Sequence, residues 1–326
     1  MKRILAVTLV LLSSLIFAQA NAQKVVYSST NNPSQLLQIF TMNIDGTDKK
    51  QLTDLSSNCM FPKFSPDGNS VVFQTDLLDM YYIADINAAT VSYPMFVFKG
   101  FNPIFSANGE YIIFSGEHEG MTTLYMMAPT DADAYLISMD DYSTMATLAA
   151  DGRTLVYSAF GGGQKNIYIT DLEDSTSMNG VRISSNKDAN LEPDISSDGK
   201  MIAYASFDMN LKGTIYLYKD GSEIALTKGM SSANQPQFSP DASKIAFTVV
   251  TGDDVDLYLM NNDGSNVKQI NVNGGDVGRF EWVDNNLIIF DANYNDQSQI
   301  GVVNINTGKI NMIADVGLNA YPNVLR

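Results

Sequence analysis

A short unit of apolar and polar positions recurs along the chain. In residues 61–73 an apolar run ends at Phe64, the polar tetrad Ser65-Pro66-Asp67-Gly68 follows, and a second apolar run starts at Val71. The tetrad is turn chemistry: Pro presets φ, Asp bonds its own backbone, and Gly accepts φ > 0. The β-branched and aromatic residues on either side suit a packed sheet. The unit therefore predicts strand, tight turn, strand. It returns at residues 105–114, 148–157, 195–204 and 238–247, and in worn form at 282–290. The turn residues Asp67, Asn108, Asp151, Asp198, Asp241 and Asp284 are 41, 43, 47, 43 and 43 apart. A period in the low forties with several strands per unit predicts a β-propeller.

Each repeat continues into a third strand with a recurring aromatic: Tyr81, Tyr125, Tyr168, Tyr216 and Tyr258, with none at 299–303. An outer strand follows. The chain ends are complementary. Residues 24–28, 38–43 and 50–53 read as a second, third and outer strand without a first, and Asn319-Ala320-Tyr321-Pro322-Asn323-Val324-Leu325 resembles the first strand at 58–64. The expected fold is an all-β propeller of seven four-stranded blades, the closing blade shared between the N- and C-termini. That arrangement removes the open edge of an unclosed ring. Six blades with frayed ends is the alternative.

Residues 1–22 read as a targeting segment rather than a blade. Lys2 and Arg3 precede a short apolar run, and Ala20-Asn21-Ala22 fits a small-x-small cleavage site. The run is short for a membrane span, so the expectation is an exported chain, periplasmic or secreted, forming one domain over residues 23–326. The net charge of −16, two units more negative without Lys2 and Arg3, argues against nucleic acid and anionic lipid, which attract basic patches. No membrane insertion is expected, and a monomer is. Cys59 is the only cysteine, which excludes an internal disulfide; it begins a repeat strand and reads as a small buried hydrophobe.

Candidate chemistry is sparse. His118 is the only histidine, between Glu117 and Glu119. Adjacent residues rarely converge on one metal, and one histidine with no nucleophile-elbow pattern argues against a hydrolytic triad. No cofactor is expected. Ca²⁺ at the acidic loops 139–141 and 252–256 is the alternative, but neither has EF-hand spacing, and solvated acidic turns are the plainer reading. The glycine-rich stretch 160–165 lacks the ending of a phosphate loop. Binding is easier to place. Residues just before each inner strand ring one mouth of a propeller channel, here Asn58, Asn102, Thr144, Asn190, Asn234 and Asn319. Short amides suit a peptide end or a sugar, although Asn is also common in turns for its local bonding. The longer loops on that face, 207–212 and 292–298, add Phe207, Met209 and Tyr294 as candidate anchors.

The Phe-Ser-Pro-Asp-Gly element, the apolar strand after it, the Ile-Tyr third strand, and Leu52-Thr53 and Leu226-Thr227 together resemble the WD-like repeats of the TolB family. The resemblance covers almost all of the chain after residue 22. It implies a periplasmic propeller that works with proteins of the Tol-Pal envelope system. TolB-family members carry an α/β domain ahead of the propeller, whereas here the repeats begin at the expected cleavage site, so the resemblance extends to the propeller alone. Similar repeats occur in propeller domains of prolyl-oligopeptidase-like peptidases and in oligogalacturonate lyases; the latter use a histidine-rich metal site that one histidine does not supply. Two function classes follow: a non-enzymatic scaffold holding an envelope protein, or a small-ligand or carbohydrate binder, lyase or hydrolase with its site at the channel mouth. A cluster of converging titratable groups in the channel would favour the second.

Overall fold

The computed structural model describes residues 23–87, 94–131, 133–174, 179–314 and 316–325; the expected targeting segment lies outside them. The described residues form seven four-stranded antiparallel sheets. Blades 1 to 6 each take four consecutive strands, beginning with the inner strands Cys59–Phe64, Phe101–Phe105, Thr144–Leu148, Ala189–Ile195, Ser232–Phe238 and Asp276–Trp282. Blade 7 joins the chain ends: inner strand Asn319–Val324 pairs with Lys24–Ser29, aligning Val324 with Val25 and Asn319 with Ser29. The seven-blade ring with shared closure is therefore present, and the six-blade alternative is not.

The repeat pattern has direct structural causes. In the first turn Ser65 Oγ accepts the Ser70 N–H (3.0 Å) and donates to Asp67 Oδ1 (2.6 Å), which accepts the Asn69 N–H (3.0 Å). The same arrangement recurs at Ser106/Asn108, Ser196/Asp198 and Ser239/Asp241. The recurring aromatic on the third strand stacks on a buried aromatic of the second: Phe73–Tyr81, Phe114–Tyr125, Tyr157–Tyr168, Tyr204–Tyr216 and Phe247–Tyr258 have ring centroids 5.7–5.8 Å apart. Blade 6 lacks the partner because Gly301 stands opposite Phe290. The core lies between blades. Leu257, Leu259 and Ile270 of blade 5, for example, pack on Phe280, Trp282 and Phe290 of blade 6.

Each inner strand is bulged. Pairing shifts between Met60 and Lys63, and at the equivalent place in every other blade. Within the bulge Phe61, Asn102, Met145, Glu192, Gln235 and Tyr321 hold φ between 52° and 56°. Non-glycine residues in this region cost of order 1–3 kcal/mol each and persist only where surroundings hold them. A bulge also withdraws a backbone N–H from the ladder. The neighbouring blade supplies acceptors: Gln74 Oε1 takes the Asn102 N–H (2.7 Å), Glu192 Oε2 the Gln235 N–H (2.8 Å) and Asp291 Oδ2 the Tyr321 N–H (2.8 Å). Further along, Asp194 accepts from Phe238 N and Asn323 from Phe64 N. At the seam of blades 2 and 3 the equivalent side chain is Ser115, whose buried hydroxyl has no partner.

The turns and the buried Asp291 carboxyl generate three stability predictions. Gly199 sits at φ +72°, where an added Cβ would meet nothing closer than Ala149 Cβ at 3.9 Å. The penalty for a side chain there is conformational, so Gly199→Val lowers unfolding free energy by about 1 kcal/mol or more in urea titration. The reverse change is available in blade 5, where Ala242 holds φ 56° at the same turn position. Ala242→Gly removes the left-handed penalty but also a methyl buried in the blade 4–5 core, so its unfolding free energy is expected to change by less than about 0.5 kcal/mol.

The third concerns Asp291. Burial pushes its carboxyl up to about 6, against the opposing pull of the Tyr321 and Arg279 N–H groups. An unfolded Asp titrates near 3.9, so between roughly pH 4 and pH 6 the folded chain holds a proton that the unfolded chain does not. This stabilising contribution is complete below about pH 4 and is lost as pH rises through 6. Denaturant unfolding at pH 4.5 and 6.5 is expected to show a larger loss over that interval for the wild type than for Asp291→Asn; equal losses would contradict the assignment.

Candidate functional site

The bulges aim one side chain per blade at the axis. Pairing register makes Phe61, Asn102, Met145, Glu192, Gln235, Arg279 and Tyr321 equivalent, and two residues further on Lys63, Ile104, Thr147, Asp194, Gln237, Glu281 and Asn323. These two tiers line a central cavity of about 620 Å³ and a second channel cavity of about 180 Å³ bordered by blades 1, 2, 3, 5, 6 and 7.

The channel thus gathers titratable groups, and most are engaged in holding the ring. Glu192 and Asp194 cap N–H groups of blade 5. Glu281 accepts from Asn323 Nδ2 (2.8 Å) and pairs with Lys63 of blade 1. Burial raises the Glu192 carboxyl above its ordinary range, while the Gln235 N–H and the Arg279 charge lower it. Arg279 differs. Among the described residues its guanidinium makes no hydrogen bond; it lies 5.8 Å from the centroid of the Phe61 ring, which packs on Tyr321 at 4.2 Å.

The amides read from sequence as one mouth ring occupy four successive positions: Asn58, then Asn190 and Asn319, then Asn234, then Asn102. Asn58 precedes the inner strand and accepts from Leu37 N while donating to Asp76. Asn190 and Asn319 are buried; Asn190 donates to Asp188 O (2.8 Å), and Asn319 to Val316 O and Gly317 O (both 3.1 Å). Asn234 accepts from Ser232 Oγ. Asn102 alone of the set faces the channel. Phe207 is half-buried against the blade 4–5 core, and Tyr294 donates from its hydroxyl to Val272 O (2.5 Å). Met209 and Leu211, on the loop after Phe207, are 100% and 79% exposed. Sequence reading missed Glu192, Arg279 and Asp291. A signal was present: Pro62, Pro103, Pro193, Pro236 and Pro322 recur inside inner strands, where Pro marks a bulge and the residue before it.

The other candidates lie elsewhere. His118 Nδ1 is 3.1 Å from the Tyr125 hydroxyl, outside both cavities. Asp140 accepts the Gly180 N–H (3.0 Å) and the Tyr157 hydroxyl. Asp276, after the second acidic loop, accepts the Val255 N–H. Among the described residues no three His, Cys, Asp or Glu side chains converge as a metal site. Cys59 is fully buried, its thiol pushed up to about 12 by burial, so it lacks thiolate character.

Known proteins share this architecture. A sequence profile described as the TolB β-propeller domain matches residues 167–324. The Protein TolB homolog of Chlorobaculum tepidum is 26% identical over 126 residues, which is 38% of this chain and 28% of that relative's length. TolB from Acinetobacter baumannii superposes with a TM-score of 0.59 at 14% identity, covering 94% of this chain and 67% of that one. A puromycin-hydrolyzing peptidase of Mycobacterium tuberculosis superposes with a TM-score of 0.67 at 11% identity, covering 91% and 54%. At these identities the structural likenesses establish the fold alone. The turn motif, the seven closed blades and the matching profile together make this chain a TolB-like β-propeller.

Proposed function

We propose that this chain is a non-enzymatic scaffold of the cell envelope, exported after removal of residues 1–22, that holds a protein partner with the loops at one end of its channel. The observation that carries this reading is the exposure of large apolar residues on that end. Met209 and Leu211 stand on the loop between the second and third strands of blade 4, and Leu77 (64% exposed) on the same loop of blade 1. Tyr142 and Phe160 of blade 3 touch each other and are also exposed there. Apolar residues gathered on one face of a propeller suit a protein interface, where such anchors supply most of the binding energy.

The titratable groups gathered in the channel are the feature that would favour the second class, but most of them are taken up in holding the ring. The channel carboxylates accept backbone N–H groups or a paired cation, a role that holds strands in place. The relatives named TolB make a periplasmic location and an envelope partner the natural extension. A carbohydrate- or small-ligand-binding propeller, or a lyase or hydrolase acting at the channel mouth, is the outcome that would replace this reading.

Crosslinking of the tagged protein in intact source cells, followed by mass spectrometry, tests it. One envelope protein is expected to dominate the capture, and to fall at least tenfold when residues 208–212 are replaced by Gly and Ser at unchanged melting temperature. Capture unaffected by that replacement, or none above background, would overturn the reading.

A further inference from the structure

Blade 6 departs from the other blades at two linked positions. Where they carry Met60, Phe101, Thr144, Leu191, Asn234 and Ala320 at the start of the bulge, blade 6 carries Gly278. Any Cβ at Gly278 would collide with Asp291 Oδ1. The glycine makes room for a carboxylate that is almost wholly buried, an environment that disfavours charge. That carboxylate does two things: Oδ1 accepts the Arg279 N–H (3.0 Å) and Oδ2 the Tyr321 N–H (2.8 Å). Two blade-specific residues thus fix the backbone beneath two channel-facing side chains. A local departure that carries a burial cost and converges on an open site is the pattern of a functional position.

What Gly278 and Asp291 hold in place has recognisable chemistry. Arg279 lies over Phe61, and Phe61 packs against Tyr321, so a guanidinium and two aromatic rings form one wall of the 180 Å³ channel cavity. The charged groups around it are accounted for. Lys63 is paired with Glu281, which also receives Asn323, and Glu192 caps Gln235. Of the two channel cations, Arg279 is the one whose donors are not taken by a described residue. A guanidinium presents a planar fork matched to a carboxylate, and the ring faces accept a flat apolar group.

We propose that Arg279, Phe61 and Tyr321 form a binding site for an aromatic carboxylate, with Asp291 and Gly278 as the positioning residues beneath it. The guanidinium takes the carboxylate, and the aromatic group lies against Phe61 and Tyr321. The cavity has room for about one residue-sized group. The same chemistry is presented by a free aromatic acid and by the C-terminal aromatic residue of a polypeptide. The site lies inside the channel and does not rest on the loop-end reading of function.

The test is titration of the mature protein with N-acetyl-L-phenylalanine and with its uncharged amide, N-acetyl-L-phenylalaninamide. The only tryptophan, Trp282, adjoins Glu281 and donates to Gln237 O (3.1 Å) on the cavity wall, so its fluorescence reports on the site; calorimetry gives an independent readout. The acid is expected to bind saturably and at least tenfold more tightly than the amide. Arg279→Gln is expected to erase that difference at unchanged melting temperature, and Phe61→Leu to weaken both ligands alike. Should Arg279→Gln fold poorly, Arg279→Lys keeps the charge, loses the fork and is expected to give a partial loss. Tighter binding of N-acetyl-Gly-Gly-Phe than of the single residue would assign the site to a polypeptide terminus, and equal or weaker binding to a free acid. Equal affinity for acid and amide, or no saturable binding of either at millimolar concentration, would overturn the proposal.

Discussion

The fate of the backbone N–H groups freed at the inner-strand bulges governs the structure. A strand that bulges loses a ladder bond, and an unpaired N–H away from bulk water costs about as much as a lost hydrogen bond. Here side chains of the preceding blade reach across the seam to accept them: Gln74 to Asn102, Glu192 to Gln235, Asp291 to Tyr321. Three of the six non-glycine bulge residues with φ above 50°, Asn102, Gln235 and Tyr321, have their N–H groups taken in this way. The bulges in turn point one side chain per blade into the channel. Ring closure, channel lining and most of the channel electrostatics follow from one local irregularity repeated around the axis.

The closing strand shows how the constraint acts where the chain is not continuous. Asn319–Val324 pairs with the strand at Lys24–Ser29. It also receives Asp291 at Tyr321, gives Asn323 Nδ2 to Glu281, and offers Asn323 Oδ1 to Phe64 N of blade 1. The seam is thus held by ladder bonds on one side and by charge-assisted bonds on the other, which are the stronger class. The same seam carries Arg279, Phe61 and Tyr321, so the joint of the ring and its most distinctive surface chemistry share one set of residues.

Much of the fold was legible in the sequence because its determinants are local. The Ser-x-Asp-Gly turn closes on itself through bonds within five residues, and the tyrosine of each third strand faces an aromatic of the second across an antiparallel pair. The similarity of 319–325 to 58–64 gave the closure. The site was less legible because it depends on register. Asn58, Asn190 and Asn234 all lie near the start of an inner strand, but they stand nine, eight and seven residues before the turn residues Asp67, Asp198 and Asp241, and the bulge turns only the next position, that of Asn102, into the channel. Glu192 and Arg279 become neighbours only once the blades are set around the channel, and 43 and 87 residues of chain separate Glu192 from its partners Gln235 and Arg279. The prolines inside the inner strands are the local trace of that arrangement.

Amide hydrogen exchange at Gln235 tests most directly whether the neighbouring blade caps the bulges. Its N–H has left the ladder and is held by Glu192 alone at 2.8 Å. The account predicts protection comparable to that of ladder amides in Lys244–Thr251, and a loss of at least tenfold confined to blade 5 in Glu192→Ala. Exchange of Gln235 at the rate of exposed loop amides in the wild type, or protection unchanged in the variant, would contradict it.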